Sequence, residues 1–168
     1  NPFNDYGESK WQSEKIFNAW ASEDKERTLV NVRLVATFGP GNRGNIYTLM
    51  DQIASGKFAM IGNGQNRKSI AYVRNVAPFL QHCLRFDSGT HLYNYADKPD
   101  LVTKDLVQSI RAALGLSGTG PRLPYAAGLL GGYTFDVAAK ITGRTFPISS
   151  VRIKKFCANT VVNADKIK

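Results

Sequence analysis

Residues 28–35 read Thr-Leu-Val-Asn-Val-Arg-Leu-Val, and this nearly unbroken apolar run decides the fold class. Such a run predicts a strand of a parallel sheet that is covered on both faces. A turn rich in glycine and proline follows over residues 38–44. Apolar periodicity predicts a helix on each side, over residues 5–22 and 45–54, with Asn45 as the N-cap of the second helix. This alternation predicts an α/β protein.

The same alternation continues along the chain. Short strands are predicted at residues 58–61 and 69–73 around a polar turn, a helix at 75–86, a strand at 92–95 and a helix from Thr103, as its cap, to about 114. Beyond a connector at residues 118–124, a helix is predicted over about 125–141. A last helix, capped by Ser149 or Ser150, is predicted to end near 158.

Residues 126–132, at the start of the helix predicted from residue 125, are all small or apolar. They suit either a membrane-surface face or a helix-packing face, and the segment is too short to span a bilayer, which favours close packing. Trp20 is expected in the core, and Lys68 is expected to face solvent.

Composition favours one globular domain without a membrane span. The chain has 168 residues, of which 43% are hydrophobic, and it shows neither an apolar run of spanning length nor a signal-peptide pattern. Cys83 and Cys157 are isolated and are expected to be buried thiols in a reducing cytoplasm. His82 and His91 are not spaced with other histidines or cysteines as metal ligands are, so no metal site is expected.

The net charge is +9, from 22 basic and 13 acidic residues. A basic balance can indicate nucleic-acid binding. Here the basic residues are dispersed and no aromatic-basic RNA motif is present, so no nucleic-acid partner is expected. Part of the excess positive charge is instead available to face an anionic diphosphate.

Residues 4–10, Asn-Asp-Tyr-Gly-Glu-Ser-Lys, contain the pair Tyr6 and Lys10 at the head of the first predicted helix. Residues four apart lie about one turn along the same helical face, so both side chains can reach one ligand. A nearby ammonium favours the phenolate form of a tyrosine and makes it usable in proton transfer. The alternative is a helix start with two exposed polar side chains.

Three motifs in order resemble the later half of the extended short-chain dehydrogenase/reductase family, the nucleotide-sugar epimerases and dehydratases. Tyr6 to Lys10 resembles the catalytic Tyr-x-x-x-Lys of the family, residues 33–40 its strand and Gly-Pro turn, and residues 72–77 its Tyr-Val-x-Asp-Val-Ala segment. The resemblance implies the C-terminal part of a Rossmann-like doubly wound sheet, mainly residues 1–45. A smaller mixed α/β substrate-binding lobe would follow over residues 46–168, with some segments returning to the sheet.

The resemblance also implies site residues and a cofactor. Tyr6 and Lys10 would be catalytic and would contact NAD, with NADP not excluded. Backbone at Val35, Ala36 and Thr37 would lie beside the nicotinamide. Contacts to a nucleotide-diphosphate sugar would come from Asn45, Arg67 and Arg152.

The implied activity is NAD-dependent epimerisation of a UDP-sugar at C4, by a cytoplasmic homodimer serving polysaccharide biosynthesis. A dehydratase, a reductase and a non-catalytic binding or assembly module are the alternatives. The glycine-rich dinucleotide loop and the catalytic Ser or Thr of the family do not precede Tyr6 here. We therefore expect a fragment of a longer enzyme that is inactive alone.

Two positions depart from the family pattern. Asn75 stands where aspartate is usual, and either residue would cap a helix. Ala36 stands where many sugar epimerases carry asparagine, which removes a possible polar contact to the substrate.

Overall fold

The strand predicted at residues 28–35 forms and pairs in parallel with a strand more than fifty residues later in the chain. The computed structural model describes residues 5–167. Its helices are α1 (Asp5–Ser22), α2 (Asn45–Ala54), α3 (Val73–Cys83), α4 (Thr103–Ala113), α5 (Tyr125–Thr142) and α6 (Ser150–Cys157), with a 3₁₀ turn at Asp165–Ile167. Its strands are β1 (Thr28–Leu34), β2 (Ala36–Phe38), β3 (Met60–Ile61), β4 (Arg67–Tyr72), β5 (Gly89–Tyr95), β6 (Asp97–Val102) and β7 (Arg122–Leu123).

The described strands make three small sheets. β1 and β5 pair in parallel along their whole length, from Thr28 opposite Gly89 to Leu34 opposite Tyr95. β4 lies between β2, which is parallel to it, and β6, which is antiparallel. β3 and β7 form a short parallel pair. The predicted α/β class is therefore confirmed.

Two groups of buried side chains pack the helices against these sheets. Ala71, Val76 and Tyr95 join β4, α3 and β5, and Val32 and Phe79 pack against them. A second cluster of Ile53, Met60, Val107 and Ile110 joins α2, β3 and α4, with Phe58 and Phe156 against it. Each group draws on elements distant in sequence, so the burial of apolar area ties the first half of the chain to the second.

The helices were predicted better than the short strands. The bounds of α1 and α2 agree with the sequence prediction, and α5 differs by one residue at its end. The strands predicted around the polar turn at residues 62–66 do form, but they do not pair with each other, because β3 pairs with β7 and β4 with β2 and β6. β6 was missed, since Asp97, Lys98 and Pro99 indicate a turn in isolation.

Of the predicted caps, only the one at Ser149 or Ser150 is confirmed. The Ser149 hydroxyl accepts a hydrogen bond from the Arg152 amide. Asn45 is the first residue of α2 and Gly44 precedes it as the N-cap, so its prediction as a cap was wrong. Thr103 is likewise inside α4, where its hydroxyl donates to the Asn66 carbonyl.

The exposure and contacts of three side chains differ from what the sequence predicts. Trp20 is 43% exposed on α1, beside Ile16 and Phe17 that are more exposed still. Lys68 does not face solvent freely, because its ammonium donates to the carbonyls of Lys155 and Ala158. Cys157 is half-buried, whereas Cys83 is buried as expected.

Close packing of α5 through small residues is confirmed on one face. A Cβ at Gly128 would meet the Ile61 side chain at 2.7 Å, and one at Gly132 would meet the backbone of Ser150 at 2.8 Å. Glycine at these positions therefore lets α5 approach β3 and α6. Within residues 5–167, no helix is both long and apolar enough to cross a membrane.

Candidate functional site

The side chains of Tyr6 and Lys10 lie side by side in the first turns of α1. The Lys10 ammonium is 5.5 Å from the centre of the Tyr6 ring, and Tyr6 is 70% exposed. The phenol is thus available to a ligand and is not buried in apolar packing. The helical spacing of four residues produces this juxtaposition.

An ion pair joins α1 to the strand that follows it. The Arg33 guanidinium donates two hydrogen bonds to the Glu14 carboxylate, at 2.8 and 2.6 Å. These bonds lower the pKa of Glu14 and raise that of Arg33. The sequence analysis did not identify this pair, because the partners are on different elements and only the fold brings them together.

The position of the Tyr6–Lys10 pair along β1 can be estimated from two contacts. Arg27 contacts Trp20 and Arg33 contacts Glu14, so α1 and β1 run in opposite directions. A helix rises about 1.5 Å per residue and a strand about 3.3 Å, so the four residues from Glu14 back to Lys10 correspond to roughly two strand residues. By this estimate we expect Lys10 about level with Val35, just beyond the end of β1.

Val35, Ala36 and Thr37 form the passage from β1 to β2. The Val35 amide still donates to the Tyr95 carbonyl, while Ala36 and Thr37 already pair with Ile70 and Ala71 of β4. The chain thus changes sheets at the carboxyl end of β1, where ligands bind in open α/β folds. Asn45 is exposed at the start of α2, beyond the turn that follows β2.

A cavity of about 450 Å³ lies among β3, the turn after it, α5 and α6. It is lined by Ile61, Gly62, Asn63, Gly64, Asn66, Tyr125, Lys154, Cys157 and Ala158. Gly62 and Gly64 have φ values of +76° and +68°, which favour glycine and produce the sharp turn that forms one wall. The cavity is open and lined by both polar and apolar groups, with one cation among them.

That cation is Lys154, which the sequence analysis did not single out. Its ammonium donates a hydrogen bond to the Tyr133 hydroxyl at 2.9 Å. This bond raises the pKa of Lys154, so the side chain is charged at neutral pH. A charged lysine at the edge of an open cavity can bind an anionic group such as a phosphate.

The α6 segment that carries Lys154 is held by side chains from β4 and the preceding turn. The Asn66 amide donates to the carbonyls of Phe156 and Ala158, and Lys68 donates to two carbonyls in the same region. Burial lowers the pKa of Lys68 and raises that of Cys157, whose thiol donates to the Ile61 carbonyl. These bonds satisfy the free carbonyls at the end of α6.

Comparison with known proteins identifies the family. The sequence profile of the NAD dependent epimerase/dehydratase family matches residues 1–96. The chain belongs to this family. This epimerase/dehydratase chain is 47% identical, over 99% of its length, to the N-acetyl-alpha-D-glucosaminyl-diphospho-ditrans,octacis-undecaprenol 4-epimerase of Escherichia coli O157:H7. It is 28% identical to the UDP-glucose 4-epimerase of Vibrio cholerae over 67% of its length.

The epimerase/dehydratase chain spans about half the length of the first of these relatives, 51%, and 35% of the second. Among solved structures, the UDP-glucuronic acid 4-epimerase of Bacillus cereus in complex with NAD resembles it with a TM-score of 0.62. That match covers 74% of this chain and 42% of the other, at 18% identity, and it confirms the Rossmann-like fold.

The two arginines predicted to bind substrate in this epimerase/dehydratase chain have different surroundings. Arg67 is exposed at the start of β4, next to Asn66 of the cavity wall, and its backbone amide is held by the Asn159 side chain. Arg152 donates to the Pro147 carbonyl at 2.7 Å and does not line the cavity. Lys154, two residues later on α6, does line the cavity.

Asn75, one of the two departures from the family pattern, does not cap a helix. It is the third residue of α3, and its amide donates to the Asp97 carboxylate, which also accepts from the Tyr72 amide. The Tyr95 hydroxyl donates to the same carboxylate. An asparagine suits this position because it can donate to Asp97 where an ionised aspartate cannot.

Proposed function

We propose that the complete protein is an NAD-dependent 4-epimerase that acts on a sugar joined through a diphosphate to a carrier. The observation that supports this most is the exposed Tyr6 beside Lys10, level with the carboxyl end of β1. A phenol next to an ammonium, at the end of a sheet where dinucleotides bind, suits proton transfer coupled to a redox cofactor.

In this proposal the chain supplies the proton chemistry and the positioning. NAD would supply the redox chemistry of the reaction when bound, which is reversible hydride transfer at C4 of the sugar. Tyr6 accepts the proton of the C4 hydroxyl as the hydride leaves and gives it back to the keto oxygen when the hydride returns, so the reaction is redox-neutral overall. Lys10 stabilises the phenolate and donates hydrogen bonds to the ribose, and backbone at residues 35–37 lies beside the nicotinamide.

We propose the cavity beside α6 as the place for the diphosphate. Lys154 carries a persistent positive charge there, and the neighbouring Asn63 and Asn66 offer amide donors. Arg67 and Asn45 remain proposed contacts to the substrate. The carrier we favour is a polyprenol and not a nucleoside, because the relative that is 47% identical is named for a sugar on diphospho-undecaprenol.

The test of the reaction is Tyr6→Phe in the protein expressed from its complete reading frame. Loss of a general acid-base group should lower turnover by about two to four orders of magnitude. NAD binding, measured by fluorescence titration, should be retained. Tyr93→Phe is the matched control, since the half-buried Tyr93 ring packs against Phe79 and Phe86, away from Tyr6 and from the cavity. Full turnover by Tyr6→Phe would remove this residue from the mechanism.

The substrate is tested by supplying N-acetylglucosamine on UDP or on diphospho-polyprenol. We expect faster epimerisation of the lipid-linked sugar, and the reverse preference would restore the nucleotide sugar as substrate. Lys154→Ala should raise the apparent KM by roughly tenfold, as expected for one charge-assisted hydrogen bond, with a smaller effect on kcat. Arg67→Ala should act in the same direction. Unchanged KM values for both variants would exclude this cavity as the diphosphate site.

We further propose that the enzyme works as a homodimer in the cytoplasm, in polysaccharide biosynthesis. The support for a dimer is the exposed apolar surface of α1, formed by Trp11, Ile16, Phe17 and Trp20. Sedimentation of the complete protein measures its oligomeric state directly.

A further inference from the structure

The outer face of α5 is apolar and faces solvent. Leu130, Val137 and Ile141 follow at spacings of seven and four residues, which aligns them on one side of the helix. They are 67%, 56% and 79% exposed. The opposite side of the same helix carries Gly128 and Gly132, which pack against β3 and α6. We call the three exposed residues the α5 stripe.

Basic residues predominate in the segment that contains the α5 stripe. Between positions 118 and 158 the chain has six basic residues and one acidic residue, so this segment holds five of the nine net positive charges: the basic residues are Arg122, Lys140, Arg144, Arg152, Lys154 and Lys155. Lys140 lies on α5 itself, and Lys154 reaches Tyr133 of α5 from α6. The single acid, Asp136, lies on the inner side of α5, where its carboxylate accepts from the Ser150 amide. No carboxylate of this segment therefore lies on the outer face of α5.

We propose that the α5 stripe, together with the basic residues of this segment, docks on a membrane surface that contains anionic lipids. An apolar helical face with lysine and arginine nearby suits the boundary between headgroups and acyl chains, because the apolar side chains leave water while the cations meet phosphate. A symmetric dimer through the same surface would instead bring these basic residues close to those of the second copy.

The position of the cavity fits this docking. Tyr125 at the start of α5 and Lys154 on α6 both line it. Tyr133, at the edge of the stripe and 45% exposed, is hydrogen-bonded to Lys154. The same two helices thus form the membrane surface and one side of the cavity. This inference rests on the proposed function, since a lipid-linked substrate has its diphosphate at the membrane surface.

The experiment is flotation of the complete protein with vesicles of phosphatidylcholine and phosphatidylglycerol in a ratio of about three to one. We expect the wild type to float with these vesicles, and far less with pure phosphatidylcholine or at high salt. The triple variant Leu130→Gln, Val137→Gln, Ile141→Gln should reduce the bound fraction by about tenfold. The double variant Leu84→Gln, Leu114→Gln removes exposed leucines elsewhere and should bind as the wild type does.

Circular dichroism and turnover of a lipid-linked substrate in detergent separate a loss of membrane binding from a loss of folding or of activity. The triple variant should retain the wild-type spectrum and the wild-type turnover, because its three side chains touch neither Tyr6 nor the cavity. Failure of the wild type to float, flotation of the triple variant like the wild type, or a change only in oligomeric state would each overturn the docking surface. Stripe-dependent flotation without any 4-epimerase activity would overturn the proposed function and leave the surface standing.

Discussion

At the scale of single residues, Asn75 occupies a position where charge decides which residue fits, because it donates to an aspartate that accepts three hydrogen bonds. The sequence alone indicated a helix cap at this position, since the residues before it give no sign that the helix begins earlier. What it could not indicate was Asp97, which comes from a strand that was not predicted.

Asn75→Asp should lower the free energy of unfolding by about 1–2 kcal/mol at neutral pH. The substitution removes a hydrogen bond to a charged group and places two carboxylates together. Urea unfolding at neutral pH measures this.

Asn75→Ala is the control for that experiment, since it removes the hydrogen bond without adding charge. It should lose less stability at neutral pH than the aspartate variant does. Equal stability of the aspartate variant and the wild type at neutral pH would contradict the role given to Asp97.

Residue-scale prediction succeeded where a motif is local and failed where contacts are distant. Tyr6 and Lys10 lie four residues apart on one helix, so the sequence contained their geometry. Lys154 belongs to a cavity built from β3, α5 and α6, and no spacing in the sequence indicates it. The expectation that Lys68 faces solvent was wrong for the same reason, because its carbonyl partners are 87 and 90 residues away.

At the scale of elements, helices were predictable because their periodicity is internal. α1, α2 and α5 each contain enough residues to show it. β3 and β7 have only two residues each and owe their existence to pairing with each other across the fold. The sequence placed β7 in a connector, because a strand of that length carries no alternation of its own.

The packing of α5 on α6 is tested by adjacent glycines. Gly132→Ala should lower the free energy of unfolding by about 1–3 kcal/mol, because the new methyl group would lie 2.8 Å from the backbone of Ser150. Gly131→Ala is the matched control: a Cβ there meets no atom within 4 Å, and alanine favours the helix. Thermal unfolding of both variants measures the difference. Similar stabilities would contradict the close approach of the two helices.

At the scale of the whole molecule, two carboxylates that form ion pairs also mark places where separate elements of the chain meet. Glu14 on α1 pairs with Arg33 on β1. Asp100 on β6 accepts from Lys98 and from Ser69 on β4, and both of these donors also contact Val162 near the end of the described chain. Hydrogen bonds from Lys98, and then from Ser69, lower the pKa of Asp100, as those from Arg33 lower the pKa of Glu14.

These shifts predict the direction in which stability depends on pH. Both carboxyl groups have lower pKa values in the folded chain than their ordinary values of 4.5 for Glu14 and 3.8 for Asp100. The unfolded chain therefore binds more protons, so the stabilisation is complete above these values and is lost as the pH falls through and below them. The Glu14 pair should contribute less than about 1 kcal/mol, since Arg33 is half exposed.

Asp100→Asn should remove most of the Asp100 part of this dependence. Asp100 is only 14% exposed, and losing a hydrogen bond to a charged group there should cost about 1–2 kcal/mol at neutral pH. Because the variant has no carboxyl group to protonate, its stability should fall less steeply than that of the wild type below pH 3.8. Urea titrations from neutral to acidic pH give both quantities. If the two proteins lost stability in parallel as the pH fell, the β4–β6 contact could not be the origin of the acid sensitivity, and Glu14 would be the next carboxyl group to replace.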